Sequence, residues 1–232
     1  IPLARIARSS FDSSSAEKRI CSIFNVSTLD AFGNFSRAEI SAMGAVASYL
    51  EITQKGKLPL LRAPVRESES RVVQIDAATR RNLELTRSLS GGRAGSLLSV
   101  IDRTATPAGA RLLEQRLSSP SRDLDLIRAR QDVIAAFHDS DQLADDLRQA
   151  LRRAPDLDRA LSRLALDRGG PRDLAAIRSA LQQADQIVAR TVGTDLPKLA
   201  QQALKDLTGH DDLIALLDAA LVADPPLLAR DG

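Results

Sequence analysis

The sequence predicts an all-α fold, an irregular multi-helix array, and three observations predict it. Apolar residues recur at spacings of three and four along most of the chain, the period of an amphipathic helix. Capping residues, glycines and prolines punctuate these stripes at short intervals. Aromatic residues make up only 3% of the 232 residues, with no Trp and one Tyr, against a hydrophobic fraction of 44%. A core without large rings is built from Leu, Ile, Val and Ala, which suit helix-on-helix packing.

The first 70 or so residues read as two helices and an extended linker. Ser14 and Glu17 stand at capping-box spacing ahead of an apolar stripe at Ile20, Ile23 and Phe24. Ser36 and Glu39 form a second box, flanked by Phe35 and Ile40 in the positions of a hydrophobic staple. Ile40, Met43, Ala47 and Leu50 carry that helix on, and Gly56 and Pro59 end it. No helical period runs from Leu60 to Ile75. Adjacent Val72 and Val73 make Arg71 to Ile75 either extended or a short strand.

From Asp76 onward helix follows helix. Asp76 is placed to cap a short helix running through Asn82 and Leu85, and the glycine-rich stretch Ser90 to Gly95 is a loop. Ser96 caps Leu97 to Ile101. Thr106 and Pro107 start the next helix, because Pro at the first helical position loses no needed donor, and Pro120 stops it. Asp123 opens a helix with Leu124, Ile127, Ile134 and Phe137. Leu143, Leu147 and Ala150 mark another, and Leu157, Leu161 and Leu164 a third. After Gly169, Gly170 and Pro171 comes the most regular stripe, Leu174, Ile177, Leu181, Ala184 and Val188. The final pair of helices breaks at Gly209, and Asp224, Pro225 and Pro226 terminate the second of them. No repeat of fixed period is present, which argues against a solenoid.

Composition bounds the function classes. The 32 Lys and Arg against 30 Asp and Glu give a net charge of +2 and a pI of about 9.0. So small an excess is no nucleic-acid footprint unless it clusters on one face. One cysteine, Cys21, excludes an internal disulfide and suits a reducing, cytoplasmic setting. No apolar run approaches the ~20 residues that span a bilayer. The chain begins with Ile1 rather than Met, which predicts excision from a longer polypeptide.

No constellation of catalytic residues stands out. His138 and His210 lie far apart, without a Cys or second His at ligand spacing, and read as surface or capping histidines. The loop Gly91, Gly92, Arg93, Ala94, Gly95, Ser96 precedes a helix and carries an Arg, as a phosphate site would. It lacks the Lys and the preceding strand of a nucleotide loop, so it reads as a plain connection. The acidic pairs Asp145, Asp146 and Asp211, Asp212 suit helix starts and polar faces. The basic pairs Arg80, Arg81, then Arg128, Arg130, then Arg152, Arg153 suit solvated faces with salt bridges. Catalytic, cofactor-binding and metal-binding residues are therefore all expected to be none.

The run Asp76-Ala77-Ala78-Thr79-Arg80-Arg81-Asn82-Leu83-Glu84-Leu85 resembles the start of the core domain in the MutS family of DNA mismatch repair proteins. The resemblance continues in order through Gly95-Ser96-Leu97-Leu98, Ile101-Asp102-Arg103-Thr104, Thr106 to Leu112, Arg163-Leu164-Ala165-Leu166 and Pro171-Arg172-Asp173-Leu174. Upstream, Tyr49, Leu50, Glu51, Thr53, Gln54, Leu58 and Pro59 are similar to the helix joining the family's connector domain to its core. Pro225, Pro226 and Leu227 through Gly232 resemble the entry to its coiled-coil clamp. Where the family often carries Trp after the Thr-Pro helix start, this chain has Arg116, which predicts unusual packing there.

The resemblance implies residues 1–70 as connector-to-core junction helices and linker. Residues 71–232 would be the first part of the core, or lever, domain, ending where the clamp insertion begins. It implies a structural and allosteric segment that links mismatch binding to the ATPase in the intact protein. Mismatched duplex DNA, a second subunit, a MutL-type protein, ATP and Mg are the implied partners and cofactors of that intact protein. The family's mismatch-reading Phe-x-Glu motif is absent, since none of Phe11, Phe24, Phe32, Phe35 and Phe137 has Glu two residues on, and so is its nucleotide loop. The segment itself is therefore expected to be no enzyme, to hold no cofactor and to bind DNA weakly. With the family's later core helices missing, self-association through an exposed stripe, Leu174 to Val188, is expected. The alternative class is a stand-alone helical module binding DNA non-specifically, motivated by the basic pI.

Overall fold

The structure, a computed structural model, describes residues 12–56, 58–66 and 71–226. It is helical throughout, with no sheet among the described residues. The chain divides into two units. One takes in the described residues up to 66 together with Leu161–Gly169; the other takes in those from 71 to Ala160 and from Gly170 onward.

In the first unit α1 (Ser13–Phe24) packs against α2 (Arg37–Thr53). The capping box expected at Ser14 and Glu17 is not formed. Asp12 caps α1 instead, its carboxylate accepting from the Ser15 N–H at 2.8 Å, and Ser14 lies inside the helix. A carboxylate two positions earlier wins because it is charged as well as placed for the amide. The second box forms as expected: Ser36 N–H donates to Glu39 Oε2 at 2.6 Å, and Glu39 N–H donates to Ser36 Oγ at 3.3 Å. Ile20, Leu29 and Ala47 are buried between the helices, with Phe35, Ile40 and Met43 packed around them. Phe24 and Phe32 meet edge to face with centroids 5.4 Å apart, a favoured aromatic geometry. The helices touch at Gly44, where a Cβ would overlap that of Ala16 and stand 2.8 Å from its Cα.

In the second unit residues 72–75 lie outside any helix, and no strand forms there. Val72 makes a single antiparallel bridge to Ser121, flanked by Val73 N–H to Pro120 O at 2.8 Å and Arg122 N–H to Arg71 O at 2.8 Å. Next come α3 (Ala77–Asn82), capped by Asp76, and α4 (Leu97–Ile101), capped by Ser96. Leu85, expected at the end of α3, lies beyond it and is buried; its carbonyl accepts from Leu98 N–H at 2.9 Å. α5 (Pro107–Ser118), α6 (Leu124–His138) and α7 (Asp141–Arg153) follow where their caps and stripes place them. α8 (Leu157–Ala165) spans the change between the units.

α9 (Pro171–Thr191) carries the core of the second unit. Ile177, Leu181, Ala184 and Ile187 are buried, and α7 and α11 (Asp211–Ala220) pack on it. The stripe expected to drive self-association is thus already covered within the chain. α10 (Lys198–Lys205) packs against α6, and Leu143, Leu196 and Ala200 form a second cluster with Val133, Phe137, Leu147 and Leu204 around it. α11 ends at Ala220, four residues before Asp224, because the following backbone is held by an arginine of α9.

Candidate functional site

The residues singled out for chemistry stay apart. His138 ends α6 at the surface, its Nδ1 3.7 Å from Asp139 Oδ1, and His210 lies exposed before α11. The glycine-rich loop closes on itself: Ser88 N–H donates to Gly92 O at 2.8 Å, Gly91 N–H to Ser88 O at 2.9 Å, and Arg93 pairs with Asp102. Asp102 in turn accepts from the Thr104 N–H and hydroxyl, which with the Arg93 charge hold its carboxyl below the usual range. The Arg of this loop is therefore committed to the next turn of the chain. Among the described residues no group of three or more His, Cys, Asp or Glu is placed to hold a metal.

What the structure does build is a set of arginine-centred joints. Arg111 on α5 donates from both terminal nitrogens to Asp156, at 3.1 and 2.9 Å, and also reaches Asp158 Oδ2 at 3.1 Å. This fork fastens α5 to the start of α8. The Asp156 carboxyl is held low, first by the hydrogen bond from Arg111, and the Arg111 guanidinium is held above its ordinary range. A planar guanidinium matches a carboxylate with two parallel donors, which Lys cannot do.

Other arginines bind main-chain oxygens at helix ends. Arg80 Nη1 donates to the carbonyl of Ser118, the last residue of α5, at 2.6 Å. Arg148 of α7 donates to Arg103 O at 2.9 Å. On α9, Arg172 donates to Pro225 O at 3.1 Å. Arg178, also on α9, sits with its Nε 3.5 Å from Asp218 and its Nη atoms 3.4–3.5 Å from the carbonyls of Leu221, Val222 and Ala223. A cation at a helix C-terminus meets unsatisfied carbonyls and the negative end of the dipole. Arg178 thus holds α11 and the segment that leaves it. Arg80, read from sequence as half of a solvated pair, is a strut. Arg111 and Arg178 carry no local signal in the sequence, because their partners lie 40 or more residues away.

The third feature is a groove of about 540 Å³ between α6 and α10. One wall is Leu126, Arg130, Val133 and Phe137, at spacings of four, three and four. The facing wall carries Leu196, Ala200, Ala203 and Leu207 at the same spacings. Arg116 of α5 stands at its edge. Burial among the apolar walls, and then the charge of Arg130, push the Arg116 guanidinium below its ordinary value. Arg130 Nε is buried and has no hydrogen-bond partner among the described residues. Arg116, where unusual packing was expected, is itself exposed.

The fold and its joints are those of a helical scaffold. The chain belongs to the MutS family: residues 78–232 match the family described as MutS domain III, and residues 3–62 match MutS domain II. It is 67% identical over 232 residues to the DNA mismatch repair protein MutS of Ruegeria sp. (strain TM1040), covering 100% of this chain and 26% of that protein. It is 64% identical over 230 residues to the protein of the same name from Paracoccus denitrificans (strain Pd 1222), covering 99% of this chain and 26% of the relative. The chain therefore spans about a quarter of the length of these curated relatives. The family resemblance read from the sequence holds, as does the all-α fold. No helix among the described residues is long and apolar enough to cross a membrane.

Proposed function

We propose that this chain is the structural and allosteric segment of a cytoplasmic mismatch repair protein, linking the part that holds DNA to the part that hydrolyses ATP. In the intact protein, mismatched duplex DNA, ATP with Mg, a second subunit and a MutL-type protein are its partners. The single observation that carries this reading is the ordered match to MutS domains II and III along the chain, with neither the Phe-x-Glu nor a nucleotide loop inside it. The joints at Arg111 and Arg178 support it. A lever transmits a rearrangement only if its helices move together, and directional guanidinium bonds resist sliding better than apolar contact does. Spatial position alone is no proof of coupling, so the test measures coupling itself.

The 232 residues are placed in the Ruegeria protein in exchange for its matched segment, with Arg111→Ala and Arg178→Ala made singly. Mismatch binding is expected to persist, while the effect of ATP on release from mismatched duplex weakens by roughly 0.5–2 kcal/mol of coupling. Variants that fold normally and retain full coupling would overturn the reading. The 232 residues alone are expected to hydrolyse no ATP. Their affinity for duplex DNA is expected to be weak, to fall with salt and to be equal for matched and mismatched duplexes. Tight mismatch-selective binding by the isolated chain would remove the need for any linking role.

A further inference from the structure

The segment that follows α3 is braced into one shape. Glu84 takes left-handed backbone, φ 47°, and its carboxylate accepts from Leu89 N–H at 2.5 Å. Its carbonyl accepts from Leu97 N–H at 3.0 Å, and Leu85 O accepts from the buried Leu98. A non-glycine residue at positive φ persists where its surroundings hold it there. The shape so fixed frames a recess of about 600 Å³ that gathers Arg80, Arg81 and Arg87, with Thr86 beside them and no carboxylate in its lining. The nearby acids are spent elsewhere. Asp76 caps α3 through the Ala78 and Thr79 amides, at 2.9 Å each, Glu84 holds Leu89, and Asp102 pairs with Arg93. Arg80 is tied through Nη1 to Ser118 O, which fixes its guanidinium and leaves its other donors unused. The side chains of Arg81 and Arg87 are exposed and meet no acceptor among the described residues.

We propose that this recess binds a free anion carrying two or more linked phosphoryl groups, the chemistry shared by inorganic polyphosphate and the phosphate tail of a nucleotide. The charge selects the ligand class. Three guanidiniums without a counter-ion repel one another, and an anion of several charges offsets them together, where a single carboxylate offsets one. The planar guanidinium fork also matches phosphate oxygens with two parallel donors. The shape selects a free anion. A volume of this order is that of a small-ligand site, roughly 300–1,000 Å³. Duplex DNA calls instead for basic residues strung along one face, and these three are collected in one hollow. Because the loop is already braced by Glu84, binding orders little backbone, which favours affinity. This inference does not depend on the linking role proposed above.

The test is calorimetric titration of the 232-residue chain with sodium tripolyphosphate at physiological salt. Saturable binding at one site per chain is expected, with shifts of the Thr86, Leu89 and Gly91 amide resonances. Arg81→Gln and Arg87→Gln are each expected to weaken binding at least about tenfold, the loss of one charge-assisted hydrogen bond. Both side chains are exposed and hold nothing, so the variants keep the fold. Arg128→Gln removes the same charge from an exposed position on α6 and is expected to leave binding unchanged. Titration with ATP and with adenosine separates the two sources. Tighter binding of ATP than of tripolyphosphate, with none of adenosine, assigns the nucleotide tail; equal or tighter binding of tripolyphosphate assigns the inorganic anion. Absence of saturable binding overturns the proposal. So does an equal loss in Arg128→Gln, since the attraction would then be general. Hexaglutamate or a DNA duplex that displaces tripolyphosphate at equal total charge also overturns it, because the recess would then read an acidic peptide or a nucleic-acid backbone.

Discussion

Ser96 shows how much one small residue fixes. It is fully buried at the start of α4; its hydroxyl donates to Arg93 O at 2.6 Å and accepts from Ser99 N–H at 3.2 Å. Ser96→Ala removes the cap and is expected to cost about 1 kcal/mol in urea unfolding. Asp156 carries the pH dependence of the α5–α8 joint. Its carboxyl titrates below the ordinary value in the folded chain because Arg111 binds the charged form. A lowered folded value means that the stabilisation is complete above about pH 4 and is lost as pH falls through the folded value. Asp12, Glu39, Asp76 and Asp102 are shifted in the same direction. Stability should therefore fall on acidification below about pH 4, and Asp156→Asn should remove part of that fall. Urea midpoints for the two proteins at neutral pH and below about pH 4 measure the difference.

At the scale of the element, α1 and α2 depend on the absence of a side chain. Glycine inside a helix costs about 1 kcal/mol relative to Ala, so propensity alone makes Gly44→Ala stabilising. The crossing reverses the sign, since the new methyl overlaps Ala16. Overpacking of this kind costs roughly 1–3 kcal/mol, and Gly44→Ala is expected to lower stability on balance. Calorimetry reads this directly, and an increase in melting temperature would show that the helices do not cross so closely. Helix ends obey a related rule. Asn25 and Asp167 take left-handed backbone, φ 51° each, and the next amide reaches back to Cys21 O at 3.0 Å and Arg163 O at 2.8 Å respectively. That closure satisfies orphan carbonyls at the end of α1 and α8.

At the scale of the whole molecule, stability belongs to two bodies. The second unit rests on α9, so Leu181→Ala is expected to cost about 2–5 kcal/mol. Hydrogen exchange should speed up in α7, α9 and α11 and stay unchanged in α1 and α2, because local opening follows cooperative units. Faster exchange in α1 would mean that the two units unfold as one. Cover for the Leu174 to Val188 stripe also changes the expected solution behaviour. Sedimentation should show no association that depends on this face, since Ile177, Leu181, Ala184 and Ile187 already face α7 and α11.

The sequence by itself determined whatever is local. Caps at Ser36, Asp76, Ser96, Thr106 and Asp123, stripes at spacings of three and four, and the stops at Gly56 and Pro120 act through bonds spanning two to five residues. They could therefore be read in a line of text. The ordered blocks that resemble the MutS family were legible for a different reason, since identity over a long run needs no geometry. Only the tertiary structure decided which apolar faces found partners, which arginines became struts and which remained alone. Arg111 and Arg178 meet groups 40 to 47 residues away, and the Nε of Arg130 meets none among the described residues. Periodicity states that a face is apolar; which other face comes to cover it depends on how the helices are carried round in space.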